Sequence, residues 1–244
     1  MIPLGSRQAR REVSSTDPPP NIPWLGLSDP IAALTHLVAA ALAGGAIVRL
    51  WDRTTGQPAQ RISVLVFGVS MLVLFLASGT YHALSEPWKT PLRRVDHAAI
   101  YVLIAGTFTP IVAHATAGRM RRWVLLAAWA VAGFGVVTKL AFFGVLGDGL
   151  DTALYLLMGW FGAVPAISIV RARGAAIAGW LALGALCYTL GALCELFRWP
   201  VVVPGVFGYH EVFHLAVLGG SGAFLALVLR HVVPVRSVED DPGR

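Results

Sequence analysis

The stretch GYHEVFHLAVL, residues 208–218, places two histidines four apart at the head of a long apolar run. His-Glu-x-x-His is the spacing of zinc metallopeptidase helices, where both imidazoles share one helix face and the glutamate acts as base. In enzymes of that kind a further ligand follows downstream. Here the chain after His214 reads LAVLGGSGAFLALVL, with no His, Asp or Glu. Any third ligand must come from elsewhere, and the apolar run raises a prior question of whether this helix lies in water at all.

Composition answers that question. Of 244 residues, 56% are hydrophobic and 13% charged, against roughly 25% charged in soluble domains. So few charges cannot cover a water-facing surface. The apolar residues come in blocks of about 20, the length that crosses a bilayer's hydrocarbon core. Seven segments can be marked, at about 31–50, 62–84, 96–116, 123–143, 152–170, 175–197 and 207–233. Only helices or closed barrels span bilayers, and the alternating pattern of barrel strands is absent. The expected fold is therefore all-α: a polytopic membrane protein with a seven-transmembrane-helix bundle over residues 31–233. Residues 1–30 are expected to form a flexible or interfacial tail, and 234–244 a polar C-terminal tail. No apolar stretch precedes Ile31, so the first span is expected to be an uncleaved anchor. Pro110 and Pro165 fall inside segments and predict kinks.

The net charge is +6. The basic residues are scattered between apolar blocks and at the chain ends, which disfavours a nucleic-acid partner. Membrane lipid headgroups are the expected partner. Cys187 and Cys194 lie seven apart on one predicted helix, about 10 Å along it, too far to bridge each other. They read as small packing residues. With the N-terminus inside, eight of the 19 Lys and Arg residues fall on the cytoplasmic side and eleven on the other. The positive-inside rule leans slightly against that orientation.

Ionisable groups within membrane segments are costly and point to function. His82 ends the second segment, with Ser78 one turn earlier. Asp96 and His97 open the third, Glu195 is near the end of the sixth, and His210, Glu211 and His214 open the seventh. One loop joins segments two and three, so these ends share a membrane face. Four more crossings return the chain to that same face at segment seven. All these side chains can therefore gather at one depth, whichever way the protein sits.

Spacing supports a metal. His210 and His214 can both coordinate one ion, and His82 is the evident third nitrogen ligand. Three histidines leave a fourth position for water, the pattern of catalytic zinc. Asp96 can hydrogen-bond or deprotonate that water, whose pKa zinc lowers to around 7. Glu195 reads as a hydrogen-bond partner for a neighbouring helix. Glu211 reads only weakly as a protease base. His36, His114 and His231 read as interfacial polar residues, Tyr81 and Tyr209 as interfacial aromatics, and His97 is undecided.

Three separated stretches carry a family resemblance: Ser-Gly-Thr-Tyr-His at 78–82, Asp-His-Ala-Ala-Ile-Tyr-Val-Leu-Ile-Ala-Gly-Thr-Phe-Thr-Pro at 96–110, and His-Glu-Val-Phe-His-Leu at 210–215. In order, they resemble the S-x-x-x-H, D-x-x-x-I and H-x-x-x-H patterns of the haemolysin III-type proteins, the bacterial branch of the progestin and adipoQ receptor family. The resemblance covers about residues 30–233. It implies a zinc ion near the cytoplasmic end, ligands matching His82, His210 and His214, and Asp96 and Ser78 around the metal-bound water. It also implies a cytoplasmic N-terminus in the cell membrane. Glu211 falls at a variable position of the third motif.

Relatives in this family resemble zinc-dependent amide hydrolases acting on lipids, and a role in membrane lipid homeostasis is suggested for the bacterial branch. Three functions stay open at this point. The first is a membrane-embedded zinc hydrolase with Asp96 as general base and Ser78 as a positioning group. The second is a lipid sensor or receptor with a structural zinc. The third is a pore-forming haemolytic protein.

Overall fold

The structure, a computed structural model, describes residues 22–233 apart from Leu25 and Leu146. Residues 1–21 of the N-terminal tail expected over 1–30, and the C-terminal tail expected over 234–244, lie outside the described residues. Eight α-helices follow one another: α1 Pro30–Arg53, α2 Pro58–Ala83, α3 Lys89–Ala115, α4 Gly118–Ala141, α5 Asp148–Trp160, α6 Ala163–Arg173, α7 Ala175–Phe197 and α8 Tyr209–Leu227, which closes in a π-helical turn over Val228–Val232. Taking α5 and α6 as one span, Gly149–Arg173, seven segments are long and apolar enough to cross a membrane. The chain is an all-α, multi-pass membrane protein.

Local chemistry sets the helix boundaries. Proline stands in the first turn of α1 and α2, where its fixed φ suits a helix start and its missing N–H costs nothing. Between α6 and α7 the chain turns through Gly174 at φ 88, a conformation L side chains rarely adopt.

Two boundaries differ from those expected. The third segment was expected to open at Asp96, but α3 begins at Lys89 and places Asp96 and His97 two turns inside. Hydropathy marks only the stretch immersed in hydrocarbon, whereas Arg93 and Arg94, both exposed, can extend the helix into the headgroup layer with their charges in water. The fifth segment is two helices. The break falls at Phe161–Gly162, where Gly162 and Val164 bond back only three residues. Pro165 then becomes the third residue of α6, a position whose N–H has no partner within a helix. A break upstream thus replaces the expected kink. Pro110, by contrast, stays inside an uninterrupted α3.

The helices pack as neighbours in sequence from α1 to α4, with α7 against α8 and α8 closing back onto α1. α2 is central and buries Phe67, Met71, Leu74 and Phe75. α1 meets it through an alanine face that includes Ala39, Ala40, Ala43 and Ala46. Small residues let backbones approach closely, which is how helices associate without a hydrophobic driving force. The outer surface is apolar: Leu42, Phe134 and Leu157 are 67–70% exposed, which suits lipid and not water. α4 and α5 are joined by a buried ion pair between Lys139 and Asp151. Pairing is what allows charges to persist in such an interior.

Gly79, inside the Ser-Gly-Thr-Tyr-His stretch, marks a close approach of α2 to α1. A Cβ there would sit 2.9 Å from the Leu37 side chain and 3.1 Å from its backbone nitrogen. Gly79→Ala is expected to cost about 1–3 kcal/mol by overpacking, seen as a lower melting temperature in detergent. Gly222→Ala, with open space around it, is expected to leave the melting temperature unchanged.

Candidate metal centre

The histidines that the sequence singles out arrive from distant parts of the chain. His82 is in the last turn of α2, and His210 and His214 occupy the first two turns of α8. Their imidazoles converge. His82 Nε2 lies 3.2 Å from His210 Nε2, which lies 3.1 Å from His214 Nε2. One ring nitrogen from each of the three falls within 4.8 Å of the others. His82 and His214 are buried and His210 is partly exposed.

The hydrogen bonds behind the rings test whether a cation fits. His82 Nδ1 faces Asp29 Oδ2 at 3.0 Å, and His210 Nδ1 faces Glu195 Oε2 at 3.0 Å. A carboxylate only accepts, so each Nδ1 carries the proton and donates. With both rings neutral, each has a lone pair at Nε2, and the two nitrogens face each other at 3.2 Å. That arrangement repels unless a positive charge lies between them. Four-coordinate tetrahedral zinc with N ligands at 2.0–2.1 Å holds its nitrogens about 3.3 Å apart, close to the two spacings on His210 Nε2, 3.2 and 3.1 Å. Carboxylates behind ligating imidazoles are the usual device for fixing tautomer and ring orientation. These residues could therefore hold a divalent ion.

Asp96 stands beside this cluster and not within it. Its carboxylate is buried, with Ser78, His210 and Arg93 as neighbours. Ser78, one turn before His82, is also buried. Glu195 pairs with His210, as expected of a side chain that bonds a neighbouring helix. Glu211 acts locally, since its Oε2 accepts the backbone N–H of Gly208 at 2.8 Å and so caps the start of α8. His97 turns elsewhere, its ring edge-on to Phe143 at 5.2 Å while its carbonyl accepts from Tyr155. His114 bonds Ser63 at 2.7 Å, near the start of α2 and the end of α3, away from the cluster. Tyr81 packs on the His82 ring.

Two participants escape a reading of the sequence. Asp29 lies in the segment expected to be tail, yet Ile22, Ser28 and Asp29 are tied to the rest of the chain. Ile22 N–H donates to Gly205 O, Ser28 N–H to Ala83 O and Asp29 N–H to His82 O. Burial alone would raise the Asp29 carboxyl, but hydrogen bonds from His82 and Lys89 outweigh it and hold the group well below the ordinary carboxylate range. Asp29 is the anion that His82 needs. The second is His36, expected at the interface. It is instead 2% exposed and stacked on His214, ring centroids 3.9 Å apart and planes at 24°. An Asp before Pro reads as a helix cap, and a lone His on an alanine face has no spacing partner, so neither carries a signal in sequence.

A model of the family described as haemolysin-III related matches residues 27–225. The chain is 34% identical over 206 residues to a protein named hemolysin-3 homolog from Bacillus subtilis, covering 83% of this chain and 93% of the relative. It is 33% identical over 212 residues to hemolysin-3 from Bacillus cereus, covering 84% and 92%. It is 25% identical over 193 residues to the human monocyte to macrophage differentiation factor, covering 75% of each.

The cap assigned to Glu211 is open to test. Glu211→Ala is expected to destabilise the protein by about 1 kcal/mol, the scale of a lost helix cap, while metal content by elemental analysis stays at the wild-type level. Loss of metal in this variant would place Glu211 in the centre instead.

Proposed function

Because the chain belongs to the haemolysin-III-related family, within the wider progestin and adipoQ receptor family, we propose that it is a membrane-embedded zinc hydrolase. Its substrate would be a lipid amide or related lipid, and its role membrane lipid homeostasis. Three imidazoles gathered at one point, with a buried acid beside them and not among them, support this reading. His82, His210 and His214 supply an all-nitrogen set, which suits zinc. We place the protein in the cell membrane with the centre under the cytoplasmic leaflet, following the family resemblance.

When bound, zinc supplies Lewis-acid polarisation of a carbonyl and a hydroxide nucleophile at neutral pH. The chain's own residues do the rest. Asp29 and Glu195 keep Nε2 of His82 and His210 unprotonated and aimed inward. The Asp96 carboxylate takes the proton of the attacking water and returns it to the leaving amine. Ser78 donates to Asp96 and fixes which oxygen is free to do so. Burial of Asp96, His82 and His214 keeps bulk water from competing. The centre sits at helix ends, the depth at which a lipid's polar linkage meets its acyl chains. A pore would need polar groups along the whole bundle, whereas Ser70 and Thr107 spend their hydroxyls on their own helix backbones.

Asp96→Asn is expected to retain zinc and to lower turnover of a lipid amide in reconstituted vesicles by about 10²–10⁴-fold, the usual weight of general acid–base catalysis. His82→Ala is expected to lose both zinc and turnover. Equal turnover in Asp96→Asn would remove Asp96 from the chemistry. Wild-type protein that binds zinc but yields no product from any lipid amide or ester would overturn the hydrolase and leave a structural metal.

A further inference from the structure

Each proposed ligand needs something behind it to fix the ring plane, and the three are served differently. His210 has Glu195 from α7. His82 has Asp29, the residue at the cap position of α1. An aspartate there normally turns its carboxylate onto the helix's first N–H groups. Asp29 makes no such bond. Its Oδ2 is turned outward to His82 at 3.0 Å and Lys89 at 2.7 Å, and its backbone N–H donates to His82 O at 2.9 Å. Asp29 and His82 are thus joined by both main chain and side chain.

His214 has no carboxylate, and its Nδ1 closes no hydrogen bond among the described residues. What lies against it is the His36 ring, stacked face to face, with the Ala32 backbone alongside. His36 is backed in turn by Phe75, edge-on at 5.2 Å. Neither nitrogen of His36 closes a hydrogen bond among the described residues, although the His214 backbone lies close to one of them, and the stacked ring face is its contact with the His214 ring. A stacked face fixes the plane of His214 while leaving its Nε2 free. It also suits an imidazole that a bound cation has made electron-poor. Asp29 and His36 are seven apart, two helical turns, and so fall on one side of α1.

We propose that α1, which contributes no ligand, is the positioning helix of the metal centre: Asp29 holds His82 through Nδ1, and His36 holds His214 through its ring face. This rests on the reading of His82, His210 and His214 as metal ligands. α1 is then more than the chain's first membrane anchor, because it sets the shape of a site built by α2 and α8.

The test measures metal binding on the full chain in detergent. Zinc affinity is read by competition with a fluorescent chelator, site geometry by the visible spectrum of the cobalt-substituted protein, and folding by helical circular dichroism. Asp29→Asn keeps the side chain's size and the backbone bond but loses the charge. It is expected to weaken zinc binding about 10–100-fold, the scale for losing a group that orients a ligand. Asp29→Glu is expected to recover most of that loss. His36→Ala is expected to weaken zinc binding and alter the cobalt spectrum, while His36→Phe, which keeps a ring face without nitrogens, stays near wild type. Should Asp29→Asn and His36→Ala both bind as tightly as wild type with an unchanged spectrum, the positioning role of α1 is wrong. A His36→Phe variant as weak as His36→Ala would overturn stacking as the means. Equal zinc binding by wild type and His82→Ala is a different failure: it sinks the ligand assignment itself, and this inference with it.

Discussion

Two imidazole nitrogens face each other at 3.2 Å, and each ring already spends its proton on a carboxylate behind it. In an apolar interior the contact needs a proton or a shared cation between the two nitrogens, and the cation is the one proposed above. The rest of the bundle is arranged around this point. α2 must end, α7 must end and α8 must begin at one level for His82, Glu195 and His210 to meet. The two-turn extension of α3 beyond its hydrophobic part sets Asp96 into the same layer, where Ser78 can reach it.

Most of this site is legible in the sequence because the bilayer makes ionisable side chains conspicuous. His82, Asp96, Glu195, His210 and His214 stand out against apolar runs, and counting crossings puts them at one end before any helix is built. Asp29 and His36 do not stand out. Asp29 lies before a proline, where an acid ordinarily means only a helix cap, and its real partner is set by tertiary contact. His36 sits alone on an alanine face with no second ligand at helical spacing. Lys139 and Asp151 are similarly opaque: only the fold brings them together inside.

The fold shows the same division. Hydropathy counts seven spans correctly, because hydrocarbon thickness is a strict ruler. It does not find helix ends, because a helix can run on into the headgroup layer, as α3 does from Lys89 to Asp96. Nor does it foresee that the span holding Pro165 breaks into two helices while Pro110 interrupts nothing, since that depends on how loosely each span is held. The span formed by α5 and α6 is the least buried of the seven, and α3 is among the most.

The stack between His36 and His214 joins the first helix to the last. Translation delivers α1 to the bilayer before the other spans described and α8 after them. Until then His82 is a single imidazole beside an aspartate, with nothing to chelate. The proposed ion would therefore be held only once α2 and α8 are both in place, and with the stack beside it α1 and α8 close on each other much as a clasp closes a necklace.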